Sequence, residues 1–218
     1  MTVKIAVLVS GRGSNLQAII NSIEKDRIKN AAINVVISNR TVAYALERAR
    51  NHGINAVFLD PGKYDKTGYD RAILDVLKQY DIDLLLLAGY FRLLGNEIIE
   101  AYRYRIMNIH PALLPAFKGL HAQRQAFEYG VKVAGCTVHF VDEGLDSGPI
   151  ILQSCVPVIS EDTEETLTAR ILEKEHIIYP KAVRLFVEGK LKIEGRNVLL
   201  LNRVTDQIHD QTGTDFTD

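Results

Sequence analysis

A twisted, doubly wound and mostly parallel α/β sheet with an antiparallel C-terminal edge is the fold this sequence predicts. Three observations carry that expectation. Short apolar runs without polar alternation recur at 3–9, 33–38, 54–59 and 82–88, as strands buried on both faces require. Segments with apolar residues at helical spacing lie between them, such as Leu16, Ile19, Ile20 and Ile23, or Tyr69, Ile73, Val76, Leu77 and Tyr80. The resulting β-α-β rhythm is satisfied by right-handed crossovers onto a parallel sheet.

Taken in order, the first strand ends at Ser10 and runs into Gly11-Arg12-Gly13-Ser14-Asn15 before the helical stripe from Leu16. Strand, glycine-bearing turn and helix together present backbone N–H groups and a helix N-terminus to an anion. Ser14 or Asn15 is expected to cap that helix. The turn lacks the Gly-Lys-Ser/Thr of a P-loop and the third glycine of the dinucleotide fingerprint, which favours a phosphate monoester. The second strand, 33–38, is followed by a helix over 43–51 that Gly53 ends. A third strand at 54–59, the turn Asp60-Pro61-Gly62-Lys63 and the Tyr69 stripe lead to a fourth strand at 82–88, apolar enough to be central. At its carboxyl end stands Gly89-Tyr90-Phe91-Arg92-Leu93-Leu94, an aromatic and apolar loop suited to a flat ring.

A helix near 97–102 precedes Met107-Asn108-Ile109-His110-Pro111. Asn108 and His110 alternate, so an extended strand points both to one face. Pro111 keeps His110 extended and ends the strand. An amide and an imidazole are thereby set at a strand's carboxyl end, where open α/β sheets bind ligands. A short helix over 120–129 follows. Long strand-like runs at 133–141 and 149–158 flank the acidic loop Asp142-Glu143-Gly144-Leu145-Asp146-Ser147-Gly148-Pro149 and are expected to pair antiparallel at the sheet edge. A long helix is expected over 163–189, with Glu164 and Glu165 near its start and Pro180 kinking or interrupting it. A hairpin around Gly195 and a polar, frayed tail from 205 complete the chain.

Composition narrows the function. With 218 residues the chain is read as one domain, 1–218. Its 47% hydrophobic and 24% charged content is ordinary for a globular protein, and the net charge of −1 argues against a general nucleic-acid binder. The two cysteines, Cys136 and Cys155, show neither metal spacing nor a disulfide framework. No signal peptide or membrane-spanning run is evident, so a cytoplasmic protein with no membrane partner is expected.

Asn108, His110 and Asp146 form the expected reactive group. A carboxylate beside an imidazole favours the imidazolium, so Asp146 is expected to raise the pKa of His110. That histidine donates a proton, and the Asn108 amide donates to a developing oxyanion. The combination suits addition to a carbonyl followed by expulsion of an amine. No serine or cysteine stands in a nucleophile elbow, so the nucleophile is expected to come with the substrate. His121 and His139 are further candidates, His121 near a phosphate and His139 in the core or a pocket wall.

Asn108-Ile109-His110-Pro111-Ala112-Leu113-Leu114-Pro115, Gly135-Cys136-Thr137-Val138-His139-Phe140-Val141 and Asp146-Ser147-Gly148-Pro149-Ile150-Ile151 resemble the formyltetrahydrofolate-dependent formyltransferases. Ser10-Gly11-Arg12-Gly13-Ser14-Asn15-Leu16-Gln17 is similar to the members that formylate glycinamide ribonucleotide in purine biosynthesis. The resemblance implies a Rossmann-like formyltransferase fold, 10-formyltetrahydrofolate as co-substrate and no metal. It implies Asn108, His110 and Asp146 as the catalytic trio. On the ribonucleotide it implies Gly13, Ser14 and Asn15 at the phosphate, with Gly89, Pro111 and Glu175 as further contacts. On the folate it implies Lys66, Phe91, Arg92, Leu93, Leu94, Asn108, Val141 and Asp142. Residues 1–105 then form the phosphate-binding half, 106–204 the catalytic and folate-binding half, and 205–218 a tail. The implied partners are these two small molecules, with the chain a monomer or homodimer. Methionyl-tRNA formyltransferase-like and formyltetrahydrofolate hydrolase activities are the alternatives. Ala112 and Lys118 depart from the family's usual serine and proline.

Overall fold

The computed structural model describes residues 1–201. One nine-stranded sheet runs through it in the order β3-β2-β1-β4-β5-β6-β7-β9-β8. The strands are β1 (Val3–Val9), β2 (Ala31–Ser38), β3 (Asn55–Phe58), β4 (Leu84–Leu87), β5 (Ile106–His110), β6 (Val133–Phe140), β7 (Ile150–Pro157), β8 (Leu191–Glu194) and β9 (Asn197–Leu200). The helices are α1 (Ser14–Glu24), α2 (Tyr44–Asn51), α3 (Lys66–Gln79), α4 (Asn96–Ala101), α5 (Ala122–Tyr129) and α6 (Glu164–Val187). Strands β1 to β5 are mutually parallel, whereas β6 is antiparallel to both β5 and β7.

Period-two alternation divides the core between two layers. Ile5, Val7 and Val9 of β1, Leu84 and Leu86 of β4, and Met107 and Ile109 of β5 pack with α1, α2 and α6. Ala6, Leu8, Leu85, Leu87 and Ile106 face the other way, onto Tyr69, Ile73 and Leu77 of α3 and Ile98 and Ile99 of α4. Fully burying one such aliphatic side chain is worth about 1.5–3 kcal/mol, so both layers hold the sheet firmly. Tyr179 of α6 is wholly buried, and its hydroxyl lies 3.0 Å from both the Leu87 and the Met107 carbonyls, bridging the end of β4 to β5.

Two expectations are corrected here. The β6–β7 pair is not the sheet edge, because β9 adds parallel to β7 and β8 then closes the sheet. Pro180 does not interrupt α6, which continues through it. Its missing N–H removes one helical bond, but buried Ile178, Tyr179, Ala182 and Val183 on either side hold the helix against the sheet. The tail expected from 205 lies outside the described residues.

Candidate active site

Asn108 and His110 share the strand face of Ile106, and both stand at the carboxyl end of β5 as the alternation requires. The antiparallel register of β6 sets His139 opposite Asn108 and Thr137 opposite His110. The loop after β6 then brings back Asp146, which holds a left-handed backbone at φ 45. The Asp146 carboxylate lies 3.4 Å from Nδ1 of His110 and 3.7 Å from Nε2 of His139, and it accepts the Gly119 N–H at 2.8 Å. Nδ1 of His139 lies 2.7 Å from the Phe140 carbonyl, an obligate acceptor, so in the neutral ring it carries the hydrogen. Nε2 then accepts from the Asn108 amide at 3.2 Å. One Asn108 N–H is thereby held, and the amide has a second to offer.

His110 is only 3% exposed, and its Nε2 lies 2.8 Å from the Phe117 carbonyl. A neutral ring therefore carries its hydrogen on Nε2 and turns the Nδ1 lone pair toward Asp146. Burial lowers the His110 pKa below its ordinary value, although Asp146 and the Phe117 carbonyl raise it and the nearby His139 adds to the lowering. This corrects the expected direction: desolvation of the charged ring outweighs the carboxylate. Burial acts the other way on Asp146, but His139, the Gly119 N–H and His110 together hold its carboxyl below the usual range. The His110 ring should therefore titrate below pH 6.5, followed by its NMR resonances. In Asp146→Asn, which deletes a raising charge, it should titrate lower still. A wild-type midpoint above that of free histidine would show that the two acceptors win.

The glycine turn after β1 gives α1 its N-cap at Gly13, with φ 71 and, among the described residues, no side-chain capping bond. The expected cap by Ser14 or Asn15 is thus corrected. Ser14 is already helical, and the Asn15 amide instead donates to Oε2 of Glu175 at 2.6 Å. Glu175 is 5% exposed, and burial raises its pKa against the Asn15 bond. Oδ1 of Asn15 is buried with no partner among the described residues. The turn is braced by α2: the Ala45 N–H donates to the Gly11 carbonyl at 3.2 Å and Nε of Arg48 to the Arg12 carbonyl at 2.9 Å. Gly89 stands just beyond the neighbouring strand β4, and its carbonyl accepts the Ser10 N–H at 2.9 Å. Pro111 is half-buried directly beyond His110.

The loop after Gly89 exposes Phe91, Arg92 and Leu93 and buries Leu94. The Phe91 N–H donates to Oγ of Ser10 at 3.0 Å, and the Arg92 guanidinium lies 4.7 Å from the centre of the Tyr69 ring. Lys66 is exposed at the start of α3, and its charge, like that of Arg92, acts on Asp70. The Val141 N–H donates to the Ile106 carbonyl at 3.0 Å, next to β5. Asp142 accepts from the Ser147 hydroxyl at 2.5 Å and from the Gly144 N–H at 3.2 Å, which closes the acidic loop on itself. His121 is exposed, with a left-handed backbone, at the N-cap of α5.

Sequence reasoning underrated three residues. His139 joins Asn108 to Asp146, a role that only the β5–β6 register reveals. Thr137 donates to the Ala112 carbonyl at 2.7 Å and accepts the Leu114 N–H at 3.1 Å, anchoring the loop beyond His110. Ser10, 1% exposed, bonds Oδ1 of Asn39 at 2.7 Å as well as Phe91. It ties the glycine turn to the aromatic loop, and nothing local in the sequence signals that.

The family model described as formyl transferase matches residues 3–183. The chain is 44% identical over 190 residues to phosphoribosylglycinamide formyltransferase of Escherichia coli strain K12, covering 87% of this chain and 89% of that protein. It is 42% identical over 182 residues to the enzyme of the same name from Bacillus subtilis strain 168, covering 83% and 93%. Among solved structures, glycinamide ribonucleotide transformylase 1 from Symbiobacterium toebii superposes with a TM-score of 0.90 at 55% identity, covering 92% of this chain and 95% of that one.

Proposed function

Since this chain belongs to the formyl transferase family, we propose that it transfers the formyl group of 10-formyltetrahydrofolate to the amine of glycinamide ribonucleotide. The products are formylglycinamide ribonucleotide and tetrahydrofolate, in de novo purine biosynthesis. The observation that carries the chemistry is the convergence of His110 and His139 on Asp146, with Asn108 held against His139. The identity of the acceptor rests on the relatives, all three of which are named for glycinamide ribonucleotide or its phosphoribosylglycinamide synonym and match over nearly their full length.

Attack of the amine on the formyl carbon develops negative charge on oxygen and positive charge on nitrogen. The second N–H of Asn108 and the Nε2–H of His110 are the donors for that oxygen, which takes the place of the Phe117 carbonyl. The attacking amine gives a proton to the neutral His110 ring, and the imidazolium so formed gives one to the leaving folate nitrogen, each directly or through a water. Ionised Asp146 stabilises the imidazolium through which that proton passes. Exposed Phe91 and Leu93, with Val141 and Asp142, suit a flat two-ring pterin that needs apolar walls and a few fixed polar groups. Lys66 and Arg92 supply positive charge for the acidic end of the folate. The Gly13–Asn15 helix start takes the phosphate, and Glu175 the ribose side, with Gly89 and Pro111 as flanking contacts. In this reading 1–105 is the phosphate half and 106–204 the catalytic and folate half. The enzyme works in the cytoplasm on these small molecules, as a monomer or homodimer without nucleic acid.

The test is an absorbance assay of deformylated folate. Release should require glycinamide ribonucleotide and match formylated product one for one. Release at the same rate in water alone would identify a hydrolase instead.

A further inference from the structure

The loop joining β4 to α4 contains every residue of the aromatic segment, and it is pinned at several successive points. Tyr90 packs against the core layer to which Tyr69 belongs. The Phe91 N–H is held by Ser10 at 3.0 Å. Arg92 lies over the Tyr69 ring at 4.7 Å. The Gly95 N–H faces the Asp70 carboxylate. Two of these points belong to neighbouring residues of α3. Gly95 also fits the carboxylate closely, since a Cβ there would stand 2.0 Å from Oδ2 of Asp70.

Tyr69 is 2% exposed and Asp70 7%, while Phe91 and Leu93 are 58% and 69% exposed. Side chains alternate along this loop: Tyr90 is half-buried and the Arg92 guanidinium lies over Tyr69 of α3, while Phe91 and Leu93 face outward. A buried carboxylate is costly unless it has partners: burial raises the Asp70 pKa, and the Gly95 N–H with the charges of Lys66 and Arg92 offsets only part of that. Large apolar side chains held outward on a fixed backbone form a surface that loses little entropy when a ligand covers it.

We propose that the Tyr69–Asp70 pair is the positioning device of the folate-binding segment, fixing the loop so that Phe91 and Leu93 meet the pterin already in place. This rests on the reading of that segment as the folate slot. Neither residue needs to touch substrate; both act through the loop. A carboxylate that served only the fold, by tying α3 to the start of α4, would not distinguish between the two substrates.

The experiment compares KM for 10-formyltetrahydrofolate and for glycinamide ribonucleotide in Asp70→Ala, Asp70→Asn, Tyr69→Leu and Phe91→Ala. Loss of the carboxylate that Gly95 fits against should raise the folate KM about tenfold in Asp70→Ala. The ribonucleotide KM should stay within about twofold of wild type, a change of under half a kcal/mol. Asp70→Asn keeps an oxygen for the Gly95 N–H and should restore most of the folate KM. Tyr69→Leu carries the same folate-selective expectation should Asp70→Ala fail to fold. Equal rises in both KM values, or no rescue by asparagine, would overturn the proposal. A folate effect in Phe91→Ala but none at Tyr69 or Asp70 would overturn it while sparing the slot. No folate effect in Phe91→Ala would remove the slot reading, and the proposal with it.

Discussion

Asp146→Asn should lower kcat by about 10²-fold or more, a loss on the scale of general acid–base catalysis, with the folate KM changed far less. Three contacts converge on this carboxylate: His110 at 3.4 Å, His139 at 3.7 Å and the Gly119 N–H at 2.8 Å. Asparagine preserves the volume and tolerates the left-handed backbone at φ 45, so the substitution removes charge with little added strain. The imidazolium then loses its counter-charge inside a site that burial already makes unfavourable for it. Adding His110→Ala to Asp146→Asn should cost much less than His110→Ala alone, because residues that act as a unit are not additive. The check is a double-mutant cycle on kcat. Fully multiplicative losses, or a near-normal Asp146→Asn enzyme, would refute a carboxylate working through the histidine.

The second large effect is expected at Gly13. Its φ is 71, and a Cβ would stand 2.6 Å from Cβ of Ala45 and 3.0 Å from its Cα, which is backbone. A non-glycine residue in this region costs on the order of 1–3 kcal/mol in strain alone, and the clash pushes the turn away from α2. Gly13→Ala should therefore raise the ribonucleotide KM by at least about tenfold, the equivalent of 1.4 kcal/mol. The folate KM should hardly change. Adding Ala45→Gly relieves the contact but not the dihedral strain, so it should recover the KM only in part. Equal rises for both substrates would argue against a phosphate at this turn.

Much of this architecture is legible along the chain because the signals are local. Apolar runs placed β1 to β4, helical stripes placed α1 and α3, and alternation set Asn108 and His110 on one face. The failures are of another kind. The placement of His139 between Asn108 and Asp146 depends on the β5–β6 register, which no local pattern encodes. The His110 shift was expected in the wrong direction because a sequence shows the neighbouring charge but not the depth of burial. Asn15 reads as a helix cap until Glu175, far along the chain, supplies another partner. Pro180 reads as a helix breaker until the packing of α6 on the sheet is seen to outweigh one missing bond. The two hydroxyls that tie loops together, Ser10 and Thr137, carry no spacing signature.

Among the described residues, the β8–β9 hairpin meets the rest of the sheet through a single residue pair, Ile150 with Asn197, and its strand residues are partly or fully exposed. Such an element opens as a separate cooperative unit, at a free energy well below that of global unfolding. Its amides should therefore exchange with solvent sooner than those of the parallel strands. One bond makes this more than a peripheral matter: Nη2 of Arg196 donates to the Ser147 carbonyl at 2.8 Å, one residue from Asp146. Each opening of the hairpin frees the far side of the acidic loop. The slow fluctuations of the last two strands and the placement of the carboxylate beside His110 thus belong to one energetic hierarchy.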